Sequence, residues 1–187
     1  MRQRGMKSKG FSWFWAIAAA LLIVLFLRLF FIGNYIVDGP SMEPTLYSGD
    51  RLIVNKWCDH VTQLHHFDVI IFRKSKHEDY VKRVIGLPGD SIRYSNDHLF
   101  INGRMVSEPY LNAFKRQLLD GQLLTWDFTL KSLTGVSKVP AGKLWVMGDN
   151  RQQSFDSRRF FFVDEKAVIG KVELRYWPLN QFGRIGR

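Results

Sequence analysis

The longest unbroken apolar pattern lies at the start of the chain. Residues 11–27, FSWFWAIAAALLIVLFL, carry no charge, and after Arg28 the run resumes as far as Ile32. Apolar side chains surround every face with no polar stripe, which suits a helix bathed in lipid better than one packed on a core. At 1.5 Å per residue, 11–32 extends ~33 Å, enough to cross a bilayer. Arg28 lies near the outer end, where a long cation can snorkel to the interface, and Trp13 and Trp15 fall at the inner aromatic belt. The preceding residues 1–10 hold Arg2, Arg4, Lys7 and Lys9 with no acid, which predicts a cytoplasmic N-terminus and everything after residue 33 outside. A cleavable signal peptide has a shorter apolar core followed by a small-x-small site. Here bulky RLFFIGNYIV follows, so the pattern predicts an uncleaved anchor.

From residue 35 the pattern changes to short β-branched runs divided by turn signals, which predicts an all-β domain over 35–187. Runs at 50–56, 67–73 and 79–86 read as strands, and later ones at 143–149 and 167–177. Pro88-Gly89 fits the centre of a type II turn. Asn102-Gly103 inside HLFINGRMV is a hairpin signal. Residues 107–138 are less regular, with one or two helical turns in EPYLNAFKRQLLDGQLL, and read as an insertion on the sheet.

Charge adds a partner class. The net +10 calls for an anionic surface, nucleic acid or lipid headgroups. Removing Arg2, Arg4, Lys7, Lys9 and Arg28 halves it, and no interleaved basic and aromatic motif points to nucleic acid. Lipid is the partner this balance favours. Cys58 is the only cysteine, so no intramolecular disulfide forms. The stretch CDHVTQLHHFD, 58–68, matches no usual zinc spacing and reads as a solvated connection; neither metal nor cofactor is expected.

Candidate chemistry gathers at three places. In VDGPSMEPTL, Ser41 lies between Pro40 and Pro44, stiffened on both sides, with Gly39 expected to be extended before proline. In DYVKRVI, strand alternation puts Tyr80, Lys82 and Val84 on one face and Val81, Arg83 and Ile85 on the other. Burial beside an aromatic ring disfavours the ammonium and lowers the lysine pKa, and a neutral amine near a serine hydroxyl is a general base. Such a lysine can equally snorkel to water. The polar stretch MGDNRQQSFDSRR, 147–159, supplies Asp149, Asn150, Arg151, Ser154, Asp156 and Arg158. Asp149 and Asn150 there also suit turn capping, and Asp156 with Arg158 a structural ion pair.

SMEPTL, GDRLIVNK, DYVKRVIGLPGD and MGDNRQQSFDSR, in this order after an N-terminal anchor, resemble the motif boxes of type I signal peptidases in the compact single-span form of Gram-positive bacteria. The likeness runs from Ile36 to Trp177. It implies a mostly β fold: a transmembrane helix, then an antiparallel β-sheet domain with a small β or irregular insertion. It implies a membrane-bound serine endopeptidase that removes signal peptides from exported preproteins, acting on the outer face. By resemblance, Ser41 is the nucleophile, Lys82 the general base and Ser154 the hydroxyl that orients the amine. Asp149, Asp156, Arg158 and Arg83 support the site. Tyr35, Val37, Met42, Leu46, Tyr80 and Val81 line shallow pockets for small residues before the cut. The implied partners are preproteins delivered by the export machinery, and membrane lipid.

One position departs from some members, which carry a serine two residues before the nucleophile to help hold the oxyanion; here it is Gly39. The Ser41 backbone N–H then bears much of that task, and the second donor is open between the Gly39 N–H and water. Three rivals remain: a relative dedicated to one precursor such as a pilin, a self-cleaving repressor, and an inactive anchored β-domain that binds peptide or lipid. A repressor needs a DNA-binding domain where this chain has an apolar span.

Overall fold

The computed structural model describes residues 13–23, 32–56, 64–119 and 121–186. Residues 13–23 form a helix, α1, with most of its apolar side chains exposed. Among the described residues no helix is long and apolar enough to cross a membrane; the remainder of the 11–32 span, apart from Ile32, lies outside them. Much of the 58–68 connection also lies outside them.

The rest is mostly antiparallel β, as the alternation predicts. The main sheet has eight strands in the order β1 (Ile32–Ile36), β2 (Arg51–Asn55), β11 (Val168–Trp177), β3 (Val69–Arg73), β4 (Asp79–Gly86), β9 (Lys143–Met147) and β10 (Val163–Asp164), with β12 (Gly183–Arg184) beside β11. A smaller sheet holds β7 (Arg104–Val106), β6 (His98–Ile101), β5 (Ile92–Ser95) and β8 (Phe128–Thr129). Pairing to this second sheet begins at Ile92, ahead of the 107–138 bounds read for the insertion.

Local chemistry explains the connections. Gly89 has φ +89°, as the third position of a type II turn demands, and Asp90 N–H closes it onto Leu87 O at 3.0 Å. Asn102 and Gly103, at φ +52° and +79°, form the turn between β6 and β7. Asn96 and Asp97, at +49° and +60°, do the same between β5 and β6. Both turns have the positive angles of type I′ hairpins, whose twist matches that of the strands they join.

Between 107 and 138 the helical turns are α2 (Asn112–Lys115), preceded by a 3₁₀ turn at Pro109–Leu111, and α3 (Leu130–Thr134). Two core clusters matter for the site. Ile85 and Trp145 of the main sheet pack with Ile92, Tyr94, Leu99 and Phe128 of the smaller one, so apolar burial ties the sheets together. Met42 and Leu46 pack with Leu52, Val54, Val69, Ile71 and Val172, which presses the Ser41 turn onto the main sheet.

Candidate active site

Three segments converge: the 40–46 turn, the middle of β4 and the loop after β9. The turn closes through Glu43 N–H to Pro40 O at 3.1 Å and Leu46 N–H to Met42 O at 2.9 Å. From the loop, Asn150 donates its N–H to Ser41 O at 3.1 Å and its side-chain amide to Pro40 O at 3.2 Å. Gly39, expected to be extended, instead has φ +87°; glycine reaches that region without a Cβ penalty, and the chain swings round before Pro40.

Lys82 Nζ lies 2.8 Å from Ser41 Oγ, with Val81 O as a second partner at 3.0 Å. Lys82 is 4% exposed, and its amine sits 5.3 Å from the Tyr80 ring centre. Burial, the dominant influence, pulls the ammonium down to about 8, while Asp156 and Asp149 pull it partly back. An amine that is neutral in mild base, within hydrogen-bond distance of a hydroxyl, is able to take that hydroxyl's proton.

The other expected residues fall into two buried ion pairs. Arg83 forks onto Asp149 through Nε at 2.9 Å and Nη2 at 2.7 Å, and both side chains are wholly buried. Arg158 forks onto Asp156 at 2.9 and 2.8 Å, and Asp156 also accepts Gly148 N–H at 3.0 Å and caps α4 (Ser157–Phe160). Burial pushes the Asp156 carboxyl up, but Arg158 and the Gly148 N–H outweigh it and hold it below the usual range. The Ser154 hydroxyl is buried, makes no well-formed hydrogen bond, and lies near the Asp156 carboxylate it helps to keep ionised. It is not bonded to Lys82, whose second partner is the Val81 carbonyl.

A cleft of about 470 Å³ opens over the pair, lined by Tyr35, Val37, Tyr80 and Val81 together with Ser41 and Lys82. Met42 and Leu46, expected in its walls, are instead fully buried in the core beneath the turn. Their apolar character serves to seat the Ser41 turn. The Ser41 N–H donates to no group among the described residues. The Gly39 N–H faces Ser48 Oγ at 3.4 Å.

Two supporting roles escape a reading of the sequence. Arg151 is buried, donating to Gly148 O at 3.0 Å, Tyr94 Oη at 2.7 Å and Glu108 at 2.6 Å, and so ties the loop to the smaller sheet. Its acid stands 43 positions away, so no local spacing could reveal the pair. Gly148 is the second. A Cβ there would lie 2.2 Å from Ser154 Oγ and 2.4 Å from Ser41 O. Gly148→Ala is expected to cost about 1–3 kcal/mol in overpacking and about 10²-fold in turnover as Ser41 is displaced. Melting and steady-state rates check it against Gly183→Ala, whose Cβ meets nothing within 4 Å.

The family model "Signal peptidase, peptidase S26" matches residues 10–177. The chain belongs to this signal peptidase family. It is 52% identical to signal peptidase I of Bacillus caldolyticus over 181 residues, 97% of each chain. Against signal peptidase IB of Staphylococcus aureus the identity is 40% over 181 residues, 95% of this chain and 94% of the relative. The fold is similar to the crystal structure of a signal peptidase I from Enterococcus faecalis, with TM-score 0.56 and 40% identity, covering 60% of this chain and 98% of that one. Membership of this serine hydrolase family implies signal-peptide removal.

Proposed function

We propose that the protein is a membrane-anchored endopeptidase that cuts signal peptides from exported precursors with Ser41 and Lys82. The observation that carries this reading is the 2.8 Å approach of a buried lysine amine to Ser41 Oγ at the floor of a cleft. Neutral Lys82 takes the Ser41 proton as Oγ bonds to the scissile carbonyl carbon. The Ser41 N–H donates to the oxyanion. As the C–N bond breaks, the Lys82 ammonium protonates the leaving amine. Water, losing a proton to Lys82, then attacks the acyl-enzyme and frees Ser41. Asp149, Asp156, Arg83 and Arg158 hold the three segments in register. By resemblance Ser154 orients the amine; its buried hydroxyl makes no well-formed hydrogen bond among the described residues and is free to take up that contact.

The precursor adds as an extended strand, and Tyr35, Val37, Tyr80 and Val81 admit small residues before the cut. The apolar 11–32 stretch anchors the chain, with the β domain on the outer face, so enzyme and precursor share one membrane.

The test is to incubate purified full-length protein in detergent with a panel of preproteins and sequence the new N-termini. Single cuts after a small residue are expected, with Ser41 labelled by a serine-directed acylating inhibitor. Intact precursors, or cuts after bulky residues, would sink the proposal. Cleavage of one precursor alone would favour the dedicated relative.

A further inference from the structure

A second cleft, about 290 Å³, adjoins the first. Gln153 lines both, so the two meet at that residue, and Ser41 lies in the first. The first cleft runs along Tyr35–Asp38 and His77–Lys82 and ends at Ser41. The second begins at Asn150, whose N–H and amide hold Ser41 O and Pro40 O, and passes Glu43, two residues beyond the nucleophile, to reach the insertion. Its walls differ in kind. Where the first cleft mixes aromatic, aliphatic and several charged side chains, the second sets Phe114, Leu118 and Leu124 among the amides of Asn150, Gln117, Gln122, Gln152 and Gln153 and has one carboxylate, Glu43. The side chains of Gln117, Gln152 and Gln153 make no hydrogen bond among the described residues, and Glu43 forms no ion pair there.

We infer that this second cleft binds the segment just after the cut, the first residues of the mature protein, as extended chain. The inference rests on the peptidase reading above. A peptide lying across a serine nucleophile must leave on the side opposite to its acyl half, and the path past Gln153 is the continuation of the acyl-side cleft. Uncharged amides both donate to and accept from a peptide backbone, so they hold chain of varied sequence, as the different N-termini of exported proteins require. Glu43 adds the one charge preference: a basic residue shortly after the cut is favoured over an acidic one.

The test uses the full-length protein in detergent and two peptides identical up to the cut, differing only in Lys or Glu at the second position after it. Their kcat/KM ratio cancels general losses of active enzyme. Wild type is expected to prefer Lys by about three- to fivefold, the range of an exposed charge pair. Glu43→Gln is expected to bring the ratio toward one. Gln122→Glu, which leaves the Ser41 turn untouched, is expected to raise it. Equal rates on both peptides, with neither variant moving the ratio, would overturn the subsite while leaving the peptidase reading intact. No cleavage of either peptide by wild type would overturn the peptidase reading and the subsite with it.

Discussion

Lys82→Met is expected to lose about 10⁴-fold in preprotein cleavage, the order seen when one member of a nucleophile–base unit is removed. In the proposed mechanism only the neutral amine can accept the Ser41 proton. With the ammonium titrating at about 8, the wild-type rate should climb roughly 50-fold between pH 6 and pH 8 and then level off. The same burial carries a stability cost. The folded pKa lies below the ordinary 10.5, so below about 8 both states hold the proton and the full penalty of a buried ammonium is present. Between about 8 and 10.5 the unfolded chain binds more protons than the folded one. Stability from this group therefore rises with pH across that window. Lys82→Met should thus melt higher than wild type at pH 6, by on the order of 2–3 kcal/mol, with the gain fading between about pH 8 and 10.5. Rates and melts on one pair of proteins check both halves. A flat pH–rate profile through 6–9, or a less stable Lys82→Met at pH 6, would refute the proposed base.

How far the sequence reveals this site follows from the range of the interactions involved. Strands β2, β3, β4, β9 and β11 are legible because alternation and β-branching are local properties of a half-buried strand. The Asn102-Gly103 hairpin is legible for the same reason, whereas Asn96-Asp97 hides because neither residue is glycine, although both adopt positive φ. Ser41 and Lys82 stand out through Pro40, Pro44 and the neighbouring Tyr80. Their meeting at 2.8 Å does not, since it depends on pairing across the sheet and on the packing of Met42 and Leu46. Those two apolar residues look equally suited to a pocket or a core, and only burial separates the choices. Glu108 with Arg151 is invisible along the chain because the pair bridges two sheets.

Arg83 and Asp149 give the second large effect. Asp149 accepts both arms of the guanidinium and the Thr45 hydroxyl, while Arg83 Nη1 donates to Phe67 O at 2.8 Å and Gly186 O at 3.0 Å. One ion pair therefore joins β4, the loop after β9, the Ser41 turn, the entry to β3 and the C-terminal tail. Asp149→Ala strands a fully buried guanidinium and is expected to destabilise the fold by about 3–5 kcal/mol. Replacing both partners with apolar residues, Arg83→Met with Asp149→Leu, removes the stranded charge and should recover most of that loss. Turnover should not return with it. Thr45 and Gly186 lose their tether, the Ser41 turn can shift relative to Lys82, and a misplacement near 1 Å costs about 10²-fold. A double mutant that melts close to wild type yet cleaves precursor about a hundredfold more slowly would show that this buried charge pair is kept for alignment rather than for stability. Full activity in that double mutant would instead mean that the Ser41 turn holds its place through Met42, Leu46 and Asn150 without the tether.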